Sequence, residues 1–183
     1  MTSKNTSTNA AAEPQKVLTL EDICPLKRVS ENSGGGEIVA YDTTEIEAGL
    51  WQGGSIGGTS LPPPHINAIV NLRKTPDIYL AMPESLKAVL WFPLEDGSFP
   101  GVPWLDAVVR TVASLRAVDW NVLVHCAAGI SRSSLVTAGY LMATYGYRRD
   151  QALDILMKKR PCIDPAPEFM KGLSDYELIL RGS

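Results

Sequence analysis

Long apolar stretches are missing from this sequence: no run approaches the roughly 18 uncharged residues that a membrane-spanning helix requires. Cysteine is scarce as well. Cys24, Cys126 and Cys162 form an odd set without CxxC or metal-like spacing, which argues against a disulfide framework and for a reducing, cytoplasmic setting. Neither sign of charge dominates, with 17 basic against 20 acidic residues and a formal net charge of -3. A nucleic-acid binder would show a basic face, so that class is disfavoured. The opening Met1 to Lys16 lacks the apolar core of a secretory signal and reads as a polar tail.

What is present is the composition of an ordinary globular domain, 45% apolar and 20% charged over 183 residues. The Ser-Gly-Gly-Gly stretch at 33–36 is a break. It divides a tail or arm, 1–36, from a folded body, 37–183, with the apolar residues of 17–32 a candidate arm against that body. Short β-branched runs predict strands at 37–41, 49–52, 67–72, 88–92 and 121–125. The last three are nearly continuous in apolar character, the pattern of parallel strands buried on both faces. Loops are expected at 53–64 and 97–103, both rich in Gly and Pro.

Helical spacing takes over in the second half. Leu105, Val108, Val109, Val112 and Leu115 follow Pro103, a residue suited to a first helical turn. A second helix runs from about Ser131 to Tyr145, with Leu135, Ala138, Leu141, Met142 and Tyr145 on one stripe and Gly146 as its stop. A third carries Ala152, Ile155 and Leu156, with Lys158, Lys159 and Arg160 placed favourably in its last turn. The last, about 167–181, sets Phe169, Leu173, Tyr176 and Leu180 on one side. Strands alternating with helices imply an α/β fold: a central, mostly parallel sheet of about four to five strands flanked by helices.

The segment His125-Cys126-Ala127-Ala128-Gly129-Ile130-Ser131-Arg132-Ser133-Ser134 leaves a buried-type strand and enters a helix. Such a loop at the carboxyl edge of a sheet aims several backbone N–H groups at one spot, and the helix adds roughly half a positive charge there. The loop from Ala127 through Arg132 is therefore a phosphate-binding candidate, with Gly129 free to take angles that larger residues resist. Cys126 stands at its mouth. A thiol so placed should ionise at a pKa of about 3.5–7.5 rather than about 8.5. Arg132, six residues later, has the planar fork that grips two phosphate oxygens; lysine does not. Ser133 is positioned to donate to the sulfur. A leaving oxygen needs a proton, and Asp96, in a Gly- and Pro-rich loop after the strand ending at Phe92, is the candidate acid, with Glu95 second.

The run VHCAAGISRSS closely resembles the CxxxxxR signature of the dual-specificity, cysteine-dependent protein phosphatases. The likeness extends over roughly 37–181, from Gly49-Leu50-Trp51-Gln52 to Arg160-Pro161-Cys162-Ile163-Asp164-Pro165. It implies that Cys126 attacks phosphorus, Arg132 holds the phosphoryl group, Asp96 is the acid, Ser133 assists breakdown of the phosphocysteine, and His125 orders the loop without being the base. No cofactor or metal is implied; the partner is a phosphorylated protein or peptide. One departure is Ala166, where many relatives carry an Asn that the resemblance would assign to placing the hydrolytic water. The short chain lacks the tyrosine-bearing recognition loop of longer tyrosine-specific domains. A phosphoinositide phosphatase is the enzyme alternative, disfavoured because Ala127, Ala128 and Ile130 add no charge to the loop, although Arg73 or Lys74 could supply one. A phosphoprotein-binding module without activity is the remaining alternative. His65 reads as a loop residue, and a Cys162 disulfide to an oxidised Cys126 as a minor reading.

Overall fold

The computed structural model describes residues 42–55, 62–75, 77 and 82–182. The expected strand at 37–41, the candidate arm, Cys24 and part of the 53–64 loop lie outside the described residues. Among the described residues five strands form one sheet: β1 (Thr43–Glu47), β2 (Leu50–Gly53), β3 (Ala68–Asn71), β4 (Ala88–Trp91) and β5 (Val122–His125), in the order β1-β2-β5-β3-β4. The β1–β2 pair is antiparallel and the other pairings are parallel. This is the mixed α/β architecture the alternation implies.

Strand β5 is central. Its residues pair with β2 on one side, Gly53 opposite His125, and with β3 on the other, Asn71 opposite His125. All four residues of β3 and of β5 are buried, as their unbroken apolar character requires. Strand β4 departs from that expectation. It is an edge strand with Val89 and Trp91 exposed, because one flank has no described partner strand. Strand β1 is polar apart from Ile46 and carries a bulge between Glu45 and Glu47, so its sequence gives little strand signal. Gly49 turns the hairpin at φ 80°.

Among the described residues there are four helices: α1 (Val102–Arg116), between β4 and β5, then α2 (Arg132–Tyr145), α3 (Arg149–Lys159) and α4 (Pro167–Arg181). Val102 and Pro103 belong to α1 rather than to the preceding loop, with the proline in the first turn where a missing N–H is harmless. Helix α2 is buried on every side from Ser133 through Met142, not along one stripe, and Tyr145 is exposed. It is the central helix, packed against α1, α3 and α4. Gly146 closes it in the left-handed region at φ 69°. Leu180 also departs from expectation: α4 packs through Phe169, Leu173 and Tyr176, and its last turn stands exposed.

One large cluster joins Val70, Val122 and Val124 to Leu105, Val109, Leu135, Leu141, Leu156 and Phe169. The alternate strand positions Ile69 and Leu123 make a smaller cluster with Ile66. Burial of that order, at about 25 cal/mol per Å² of apolar surface, anchors β5 and α2 and hence the loop between them. No described helix is long and apolar enough to cross a membrane.

Candidate active site

The loop from Cys126 to Ser131 joins β5 to α2 at the carboxyl edge of the sheet. Its carbonyls are held away from the cup one by one. The Ala127 carbonyl accepts from the Ser55 amide (2.8 Å) and that of Ile130 from the Asp164 amide (3.1 Å). The Ala128 carbonyl accepts from Arg160 Nη2 (3.2 Å), and the Gly129 carbonyl accepts from Arg160 Nε (2.8 Å) and Gln52 Nε2 (3.1 Å). In a planar trans peptide the next N–H points opposite to the carbonyl. The amides of Ala128, Gly129, Ile130 and Ser131 are thereby turned toward the other side, as a nest for an anion. Gly129 sits at φ 68°, and a Cβ there would lie 2.4 Å from the Gly53 carbonyl carbon. The position admits glycine alone without movement.

Cys126 is buried at the foot of this nest. Burial pushes the thiol pKa up, but hydrogen bonds from the Ser133 hydroxyl and amide, the Arg132 charge and the Gly129 amide outweigh it, and the net shift is downward. Ser133 Oγ is 3.5 Å from the sulfur, placed by the first turn of α2. His125 is fully buried; burial lowers its pKa to about 4, aided by the Arg73 charge and opposed by its bond to Cys126. Its Nδ1 lies 3.3 Å from the Cys126 carbonyl oxygen, which can only accept, so that nitrogen carries the proton. Asp77 Oδ2 lies 3.5 Å from Nε2, a distance that would suit an ion pair. With a neutral imidazole, and with Asp77 already paired to Arg73, it is a contact without net charge attraction. His125 thus braces the backbone of the cysteine and leaves its proton state alone.

Arg132 lies along the rim. Its Nη1 donates to the Leu94 carbonyl (3.2 Å), while Nε, buried and without a hydrogen-bond acceptor, stands 3.5 Å from Asp96 Oδ2. Asp96 Oδ1 accepts from the Ser131 hydroxyl at 2.7 Å. The structure therefore brings Cys126, Arg132, Ser133, Ser131 and Asp96 together. It turns Glu95 outward to an exposed pair with Lys74 Nζ at 3.2 Å. Gly97, at φ 76°, follows Asp96 in the turn closed by the Ser98 amide on the Glu95 carbonyl (3.2 Å). Ala166, the departure noted in the sequence, is the N-cap of α4, and its amide donates to Ser131 Oγ (3.2 Å).

Two residues that position the loop escape sequence reasoning. Arg160, expected in the last turn of α3 for its favourable charge there, is the residue that caps that helix and is 1% exposed. Besides the two loop carbonyls it binds Asp42 Oδ2 at 2.7 Å and Thr44 Oγ1 at 3.2 Å. Gln52 is also fully buried, and donates to Ser134 Oγ at 2.8 Å as well as to Gly129. Their signal was a polar residue at a strand position whose neighbours are buried, and a third cation in a helix end that needs one.

The sequence model described as "Dual specificity phosphatase, catalytic domain" matches residues 59–179. Human dual specificity protein phosphatase 16 is 41% identical over 80 residues, 44% of this chain and 12% of that protein. Human dual specificity protein phosphatase 5 is 32% identical over 114 residues, 62% of this chain and 29% of that protein. The match thus spans less than a third of either relative. Among solved structures, a mouse dual specificity phosphatase complexed with zinc tungstate superposes with a TM-score of 0.70 at 22% identity, covering 82% of this chain and 96% of that one. At that identity the likeness is one of fold.

Proposed function

The chain belongs to the dual specificity phosphatase catalytic-domain family, and from that premise we propose that it hydrolyses phosphotyrosine and phosphoserine or phosphothreonine in proteins through a phosphocysteine intermediate. The observation that carries the reading is the nest itself: four loop carbonyls held outward by partners from other elements, with a thiol of lowered pKa beneath the amides. The phosphoryl oxygens bind those amides and the fork of Arg132, whose Nε is unsatisfied until an oxygen arrives. The Cys126 thiolate attacks phosphorus in line with the ester oxygen. As the S–P bond forms and the P–O bond breaks, protonated Asp96 gives its proton to the leaving oxygen. A water then loses its proton to the Asp96 carboxylate, its oxygen attacks phosphorus, and the S–P electrons return to sulfur. Ser133 donates to the sulfur as that charge reappears. The catalytic unit is taken as residues 37–183, preceded by 1–36, and a reducing compartment such as the cytoplasm suits a thiolate at work.

The phosphoinositide alternative needs extra cations beside the cup. Arg73 is engaged by Asp77 and Ser55, and Lys74 by Glu95, which favours the protein substrate. The deciding experiment measures phosphate release from phosphotyrosyl and phosphothreonyl peptides and from inositol phospholipids, with Cys126→Ser as control. Peptide turnover, abolished by Cys126→Ser, and a phosphate-mass adduct on Cys126 after acid quench are expected. Turnover confined to the lipids, or unchanged in Cys126→Ser, would defeat the reading.

A further inference from the structure

We infer that Ser131 is a positioning residue for the general acid, setting which oxygen of Asp96 holds the transferable proton. The inference rests on the phosphatase reading above and goes beyond it, because it gives the side chain of a loop residue a task separate from the phosphate contact of its backbone.

Ser131 Oγ lies 2.7 Å from Asp96 Oδ1 and 3.2 Å from the amide nitrogen of Ala166. The Ala166 N–H can only donate, so Ser131 Oγ accepts there, and the single hydroxyl hydrogen is left for Asp96. The direction of the bond is thus fixed by a backbone group. Because Oδ1 receives that hydrogen, the proton of a neutral Asp96 belongs on Oδ2, the oxygen beside Arg132 Nε at 3.5 Å. A phosphoryl group gripped by Arg132 would meet Asp96 through that oxygen. In the first step the Oδ2 proton passes to the leaving oxygen as the P–O bond breaks; in the second Oδ2 takes a proton from the attacking water. Ser131 donates to Oδ1 throughout and exchanges no proton. Three segments meet at one hydroxyl: the loop after β4, the phosphate loop, and the start of α4, where Pro167 at the first helical position leaves Ala166 as the adjoining amide. Ala166 needs no side-chain amide for this task; its backbone performs it.

Without the hydroxyl, the Asp96 proton divides between two oxygens and the carboxyl turns. Ser131→Ala should therefore lower kcat with an alkyl phosphate relative to kcat with an activated aryl phosphate, whose leaving group needs no proton, by roughly ten- to a hundredfold. Ser131→Thr, which keeps the hydroxyl, should restore the ratio. In the Asp96→Asn background the same change should add almost nothing to that ratio. An equal loss on both substrates, or additive losses with Asp96→Asn, would overturn the assignment and leave Ser131 a phosphate contact only. The amide exchange of Ser98, which donates to the Glu95 carbonyl at 3.2 Å, gives a readout without turnover. It should quicken in Ser131→Ala, and an unchanged rate would count equally against the assignment. If Cys126→Ser proved as active as the parent, the phosphatase reading would fall instead, and the exchange rate would still decide whether Ser131 holds the acid loop.

Discussion

Replacing Arg160 by methionine tests the scaffold of the anion cup without touching any group that meets substrate. The guanidinium is 1% exposed and, among the described residues, donates to Gly129 O, Ala128 O, Asp42 Oδ2 and Thr44 Oγ1. Methionine fills a similar volume and offers no donor. Breaking a buried ion pair by removing one partner costs about 3–5 kcal/mol. Asp42 retains 22% exposure and can rehydrate in part, which places the expected loss near the lower bound, about 3 kcal/mol. The functional effect follows from which peptide is released. The Gly129 carbonyl keeps Gln52 as a donor at 3.1 Å, so the Ile130 amide stays aimed. The Ala128 carbonyl loses its Arg160 partner, and the Gly129 amide of the same peptide is set loose. One hydrogen bond to a charged oxyanion contributes about 1.5–3 kcal/mol, so vanadate should bind about ten- to a hundredfold more weakly. Urea unfolding gives the first quantity and competitive inhibition by vanadate the second. If Arg160→Met unfolded within about 0.5 kcal/mol of the parent, or bound vanadate equally well, the outward-held carbonyls would not be what shapes the cup.

Asp96→Asn should slow alkyl phosphate turnover by roughly 10²–10⁴ and cost much less with an activated aryl ester; steady-state rates on the two substrates check it, and equal losses would count against the acid. Gly129→Ala places a Cβ 2.4 Å from Gly53 at φ 68° and should abolish anion binding at the loop, read by tungstate titration; retained affinity would show that the loop yields. His125 has an imidazole pKa of about 4 in the folded protein against 6.5 ordinarily. Between those values the unfolded chain binds the extra proton, so the stability tied to neutral His125 is complete above about pH 6.5 and falls as pH drops toward 4, by up to about 3 kcal/mol. His125→Asn should flatten that part of the urea-midpoint profile; an unchanged pH slope would refute the neutral assignment.

Cys126, Arg132 and Ser133 were legible because they stand within one contiguous strand-loop-helix run, where spacing alone fixes their meeting. Asp96 was legible as the first choice of two adjacent acids, from its place in the loop after β4; its contacts with Ser131 and Arg132, against the outward pair of Glu95 with Lys74, come from tertiary placement. Arg160 was not legible, since the same letter fits a solvated helix end, and only tertiary packing carries it beneath the Gly129 carbonyl. Gln52 was hidden in the same way, as a strand residue whose amide finds partners 77 and 82 positions away. Strands β2, β3 and β5 followed from apolar runs. The edge character of β4 and the polar β1 did not, because exposure there depends on which neighbours a strand finds.

The loop bearing Cys126 hangs between the innermost strand and a helix packed on all sides, so the sulfur owes its acidity to the folded arrangement. In an unfolded chain the same thiol has no nest, no Ser133 and no Arg132 beside it, and reverts to ordinary chemistry. Reactivity toward alkylating agents at mildly acidic pH therefore doubles as a gauge of completed folding.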